Sequence, residues 1–335
     1  MTHAAAPGRG QAPAASVVIA AHEAAAFVQD AIRSALGQTR RDIEVVAVDD
    51  GSTDGTWGAI LDCARGDARV LPLRQPRRAG PSAARNLAIR HARGRWLAVL
   101  DADDLFLPER LERMIAEAEA RGADLLADNL LETDFVTGKP LGRRFTDAEM
   151  RHDGPVPLIE AVRRDMPGTA CRGRFGFLQP IIRRDFLRRH GLRYAEDLQA
   201  GEDFLLYFEC LAHGGRFHLT PEAHYVYRLR AGSVSTRRSA TLCLSAANRR
   251  MLRIAAALGD GELLALLRRR QRLIDFDSFA LLAERGYFGA ALRYLHCTGP
   301  ASLLRHARVA LGAARRRLGA RASRGAPGVS TAARG

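Results

Sequence analysis

Two clusters of carboxylates end apolar runs in this sequence. In VVAVDDGSTDGTW, residues 45–57, Asp49 and Asp50 close a run of Val and Ala; in WLAVLDADDLF, residues 96–106, Asp101, Asp103 and Asp104 do the same. Like charges at the end of a buried strand repel and are costly to desolvate, so a compensating partner is expected. Carboxylates are poor direct partners for phosphate but good ligands for a hard divalent cation, which then binds phosphate oxygens. They also accept hydrogen bonds from a pyrimidine N–H or from ribose hydroxyls. On an extended segment, D-x-D spacing puts Asp101 and Asp103 on one face, where they can act together. The acids therefore suit a nucleoside diphosphate held through a metal. No G-x-x-x-x-G-K-[ST] occurs, which excludes a P-loop, and no G-x-G-x-x-G follows a strand.

The elements that must position these acids alternate along the first half. Strands are predicted at 16–21, 43–48, 70–73, 95–100 and 123–128, and helices at 26–38, 53–65, 82–92 and 108–122. Thr53 and Asp54 open the second helix as caps, and the fourth has Pro108 at its start and Gly122 at its end. Continuous apolar strands between amphipathic helices imply a mainly parallel sheet covered on both faces. Both acid clusters then sit at carboxyl ends of strands, facing the crevice where open α/β sheets bind ligands. Further on, a strand is expected at 175–183 and a helix at 201–215, entered through acids. From residue 240 the pattern is helical, with a basic helix near 301–322 and no repeat of fixed period.

Five stretches in this order carry a resemblance: SVVIAAHEAAAFVQDAIRSALGQT, EVVAVDDGSTDGT, GPSAARNLAIRHARGRWLAVLDADD, GLRYAEDLQAGEDF and YVYRLRAGSVS. Over residues 15–236 the chain resembles a family 2 inverting glycosyltransferase, of bacterial envelope or exopolysaccharide type. The resemblance implies an α/β GT-A fold, Rossmann-like, over that span; the residue pattern beyond it predicts a helical C-terminal region over 237–322, and residues 1–14 and 323–335 read as disordered tails. It implies a nucleotide-sugar donor, UDP being the commonest carrier, and a glycan or lipid-linked acceptor hydroxyl. Asp50 would accept from the nucleobase, Asp101 would sit near the ribose and metal, and Asp103 would ligate a divalent cation, Mn²⁺ or Mg²⁺. Arg85 would lie near the donor, and Asp203 would be the general base in a single inverting displacement. Two departures stand out. Ala20, Ala21, His22 and Glu23 replace the family's usual residues after the first strand. Arg230 stands where a His is frequent; it cannot ligate a metal but can pair with the diphosphate. Residues 129–200 are expected to shape the acceptor site.

Simpler roles stand beside these. Asp203 also fits a helix cap, Arg85 a solvated helix face and Asp104 a cap for the helix at Pro108, while Asp49 and Asp54 read as turn-shaping residues. His22 is assigned no role, and Cys63 and Cys210 read as core. A haloacid dehalogenase-type phosphatase would use Asp101 as nucleophile and Asp103 as acid/base, but it needs a late lysine, and Lys139 is the only one. A basic, non-enzymatic binding protein is the other rival, prompted by the net charge of +14; stacking aromatics are only 6% of residues, so nucleic acid is not expected as a partner. The charge is concentrated: the 51 residues after Glu284 hold ten Arg and no Asp or Glu, leaving +4 for residues 1–284. That tail suggests peripheral contact with an anionic membrane. Five scattered cysteines with no C-x-x-C argue against a disulfide framework or zinc site and fit a cytoplasmic protein, at most peripheral at the inner face of the membrane.

Overall fold

A computed structural model describes residues 12–167, 174–230, 240–295, 302–312 and 314. The predicted tails at 1–14 and 323–335 lie almost wholly outside the described residues. The chain forms two compact units, one ending at Leu267 and the other beginning at Arg268.

Among the described residues, the first unit is built on a nine-stranded sheet. Its parallel half comprises β1 (Ala15–Ala21), β2 (Ile43–Asp49), β3 (Val70–Arg74) and β4 (Trp96–Val99), joined through α1 (Val28–Leu36), α2 (Thr56–Gly66) and α3 (Pro81–His91). In β1, Val17 and Ile19 pack on one side with Ile32 of α1, and Val18 packs on the other with Ala84 and Ala88 of α3. Val45 and Val46 of β2 divide in the same way. Two buried faces are why these strands read as unbroken apolar runs rather than alternations.

The other half is mixed. It contains β5 (Leu105–Phe106), β6 (Leu125–Asp134), β7 (Pro140–Arg143), β8 (Ile181–Arg183) and β9 (Phe217–Leu229), in the order β3-β2-β1-β4-β8-β6-β9-β5 with β7 beside β6. β8 runs antiparallel to both β4 and β6, whereas β6 and β9 are parallel. The strand expected at 175–183 is only its last three residues. Phe175–Phe177 form a 3-10 turn whose Gly176 N–H donates to Asp165 at 2.8 Å. Pro180, which has no N–H to give a ladder, separates the turn from β8.

α4 (Arg110–Ala120) covers one face; after the short helices α5 (Asp147–Met150), α6 (Leu158–Arg164) and α7 (Arg184–His190), α8 (Glu202–Ala212) and α9 (Ala240–Leu258) cover the other. Arg110 is fully buried, donating to both oxygens of Asp128 at 2.8 and 3.1 Å and to the Gln179 carbonyl at 2.6 Å. Gly201 holds φ +83° at the start of α8, a backbone conformation that L side chains rarely adopt, which accounts for the glycine there. α10 (Gly261–Glu284) spans the unit boundary, and the second unit adds α11 (Phe288–Ala291) and helical residues 302–312. The basic helix expected at 301–322 is described over that shorter span.

Candidate functional site

A cavity of about 340 Å³ opens at the carboxyl end of β4. It collects Arg85, Asp101, Asp103, Asp203 and Arg230, five of the six residues singled out above. Asp50 is the exception and does not line it.

Arg85 projects from α3 and is 5% exposed. Its Nη2 donates to Asp101 Oδ1 at 2.7 Å and its Nη1 to Asp203 Oδ1 at 2.9 Å, with Glu202 Oε1 at 3.4 Å. One planar guanidinium thus ties the end of β4 to the first turn of α8. The Tyr194 ring lies 5.2 Å from the guanidinium carbon. Asn86 holds that tyrosine in place, donating to its carbonyl at 2.9 Å and accepting its N–H at 3.0 Å. Burial opposes the Arg85 charge, but the Asp203 and Asp101 carboxylates outweigh it and hold the guanidinium protonated well above its ordinary value. The solvated-face reading of Arg85 is thereby set aside.

Three carboxylates around one cation leave an excess of negative charge. Asp203 carries the consequence: burial drives its carboxyl up to about 8 against the pull of Arg85, and the Glu202 and Asp101 charges push the same way. Its place in the first turn of α8 gives it the helix dipole, yet its side chain caps nothing.

Residues 101–104 are not extended, as D-x-D pairing on one face required, but form a turn closed by the Asp104 N–H on the Asp101 carbonyl at 3.0 Å. Asp101 and Asp103 still share the cavity, each against a different arginine. Asp103 lies 3.5 Å from Arg230 Nη2, and its carbonyl accepts from Arg228 Nε. Burial raises the Asp103 carboxyl, and the neighbouring Asp101 charge adds to it. Arg230 sits between the rings of Phe27 and Phe135, 4.8 and 5.7 Å from their centroids. Asp104 turns away to accept from Tyr225 Oη at 2.9 Å and the Arg228 N–H at 2.8 Å. It anchors β9 and does not cap the helix after Pro108. The same tyrosine oxygen accepts the Asp101 N–H at 3.2 Å.

Asp50 lies beyond β2 with its carboxylate turned onto the segment entering α3. It accepts from Gln75 Nε2 at 3.0 Å, the Ala79 N–H at 2.7 Å and the Gly80 N–H at 2.8 Å. Gly51 beside it holds φ +62°, and a Cβ there would stand 2.5 Å from the Arg77 carbonyl carbon, which accounts for the glycine after the paired acids. Asp49 accepts the Ser52 N–H at 3.1 Å, as a turn-shaping residue should. His22 lines the cavity with Nδ1 3.0 Å from the Asp50 carbonyl.

Glu202, Tyr194, Tyr225, Gln179 and the Phe27–Phe135 pair were not picked out from sequence. Glu202 alone had a signal, standing beside Asp203 in GED. Among the described residues no three His, Cys, Asp or Glu side chains converge as a preformed metal cage. No described helix is long and apolar enough to cross a membrane.

Residues 16–178 match the family model described as Glycosyl transferase family 2. The chain is 37% identical over 322 residues to the succinoglycan biosynthesis protein ExoO of Rhizobium meliloti, covering 94% of this chain and 90% of the relative. Among solved structures it superposes on S. aureus TarS 1-349 in complex with UDP-GlcNAc with a TM-score of 0.66, at 19% identity, covering 91% of this chain and 92% of that one. It also superposes on a Pyrobaculum calidifontis mannosyltransferase in complex with GDP-Man and Mn²⁺ with a TM-score of 0.54, at 19% identity over 90% and 88%. The fold is that of these GT-A enzymes.

Proposed function

The chain belongs to glycosyl transferase family 2, and on that premise we propose that it moves a sugar from a UDP-sugar to a glycan or lipid-linked hydroxyl with inversion at the anomeric carbon. The likeness to a succinoglycan biosynthesis protein favours assembly of a bacterial exopolysaccharide.

One observation carries the reading. The two amino groups of Arg85 bind Asp101 and Asp203, so a donor-side carboxylate and a candidate base are held one guanidinium apart in the same cavity. In the proposed reaction Asp203 takes the proton of the acceptor hydroxyl as its oxygen bonds to the anomeric carbon. The bond from that carbon to the diphosphate oxygen breaks, and its electron pair leaves with the nucleotide. A carboxyl pushed up to about 8 is more basic than an ordinary aspartate, and so better matched to a hydroxyl proton.

Asp50 uses three of the roughly four lone-pair sites of a carboxylate, which leaves one for a nucleobase N–H. Asp103 and Asp101 suit a hard cation, because such ions commonly take one or two protein carboxylates and fill the remaining positions with phosphate oxygens and water. Such an ion would supply positive charge to the leaving diphosphate. Arg230, held between two rings against Asp103, would meet the same diphosphate. Asp165, Gly176 and Phe177 line the cavity and would border the acceptor.

The family overturns the phosphatase alternative. Asp101 is held by Arg85 where that reaction needs a free nucleophile, and Lys139 is exposed and outside the cavity. Thermal shift with UDP, GDP and CMP, each with and without Mn²⁺, tests the donor site. A ligand at about 100 times its Kd adds about 2.7 kcal/mol. UDP with Mn²⁺ should stabilise the wild type and leave Asp103→Ala unshifted; an equal shift in both would remove Asp103 from the site.

A further inference from the structure

The second unit exposes an apolar surface. Of the eleven large hydrophobic side chains that are exposed among the described residues, six fall between residues 287 and 311: Tyr287, Phe288, Leu292, Leu303, Leu304 and Leu311. They are 40 to 63% exposed, too many in so short a span for the scattered leucines of an ordinary surface.

The helix at 302–312 shows why they are not core. His306 is 4% exposed, with the Phe276 and Phe279 rings 5.0 and 4.8 Å from its own, and Val309 and Ala310 pack beside the cluster of Phe279, Ala283 and Ala291. That face satisfies the unit. At about 100° per residue, Leu303, Leu311 and Leu304 span a sector of about 100°, with Leu304 nearly opposite the buried His306 and Leu303 at the edge of the buried face, beside Ala310. The helix therefore has a second apolar stripe, with the exposed Arg308 along one side of it.

Charge decides what can cover the stripe. A second copy would bring ten arginines against ten, because residues 285–335 contain no acid. Residues 315–335 hold six of those ten arginines and only Leu318 and Val329 as large aliphatics, which is poor material to bury six hydrophobic side chains. A basic surface with an apolar stripe is instead the pattern of helices that lie in the headgroup layer of an anionic bilayer.

We propose that the C-terminal unit docks on an anionic membrane surface, with Leu303, Leu304 and Leu311 entering the acyl boundary and Arg293 and Arg308 at the phosphates. The proposal stands apart from the chemistry at Asp203. It is tested by co-sedimentation of the full chain with phosphatidylcholine vesicles, alone or mixed with phosphatidylglycerol, in low and high salt. The wild type should sediment with the mixed vesicles, far less with phosphatidylcholine alone, and less again in about 1 M salt. Leu303→Ala/Leu304→Ala/Leu311→Ala should lower partitioning roughly tenfold or more. Arg293→Ala/Arg308→Ala, which leaves the apolar residues intact, should remove most of the preference for phosphatidylglycerol; circular dichroism melts identify any variant that has lost its fold. No sedimentation of the wild type, or equal binding by the folded leucine variant, overturns the proposal. So does concentration-dependent dimerisation that the leucine variant abolishes without any vesicle binding, which would assign the face to a second copy.

Discussion

Neutralising Glu202 should make the enzyme faster at pH 7. In the proposed mechanism Asp203 works only when ionised, so the rate rises with pH through about 8. At pH 7 a carboxyl titrating there is about one-tenth ionised. Glu202 is one of the charges holding it up. Arg85 Nη1 is 2.9 Å from one carboxylate and 3.4 Å from the other, so their oxygens lie no more than about 6.3 Å apart. Both side chains are largely out of water, at 7% and 17% exposure. At an effective dielectric of about 20, that separation gives about 2.6 kcal/mol of repulsion, more than the ~1.4 kcal/mol that moves an ionisation tenfold. Glu202→Gln should therefore shift the rising limb to lower pH and raise the rate at pH 7 about five- to tenfold, with little change on the plateau. The assay is UDP release across pH 6 to 10 at saturating donor and acceptor. A wild-type profile flat over that range, or a limb that stays put or moves to higher pH in the variant, would refute the reasoning.

Three further outcomes follow from single contacts. Arg110→Met leaves Asp128 buried without its cation, and should cost about 3–5 kcal/mol in urea unfolding; a loss under about 1 kcal/mol would mean the pair is dispensable. His218 is buried with no hydrogen-bond partner on either ring nitrogen among the described residues, and burial, with Arg121, Arg216 and His152 adding, lowers its pKa below 6.5. The unfolded chain then binds the extra proton, so this group's stability is present above about pH 6.5 and lost as pH falls through its lower folded value, by up to about 1.4 kcal/mol per pH unit. His218→Phe should flatten that dependence, and an unchanged slope would exclude His218 as its source. Arg230→Ala should weaken UDP binding by calorimetry about tenfold or more if the guanidinium meets the diphosphate, whereas unchanged affinity would leave Arg230 a partner of Asp103 alone.

The parallel half of the sheet was legible because each strand is buried on both faces and each crossover helix shows its period, so apolar runs and amphipathic segments alternate cleanly. The mixed half was not. β9 is thirteen residues long, but Pro221 and Glu222 interrupt it, and its ladder with β6 shifts register near Asn129. No period of two survives that. The 175–183 run misled because Phe175 and Leu178 are buried around a 3-10 turn, and burial alone does not distinguish a turn from a strand. In the site, acids at strand ends were readable from type and place. Their partners were not: Tyr194 and Tyr225 reach Arg85, Asp101 and Asp104 across more than a hundred residues of chain. Asp103 and Asp101 converge through a turn rather than a pleat, so the expected juxtaposition is reached by a different geometry.

Asp203→Asn tests the central claim most directly, with transfer and UDP affinity measured on the same preparation. If Asp203 is the base on the acceptor hydroxyl, transfer should fall by at least about a hundredfold while UDP affinity stays within about threefold of wild type. Transfer persisting near the wild-type rate would contradict the account, and so would a parallel loss of UDP affinity, which would make Asp203 part of the donor site instead.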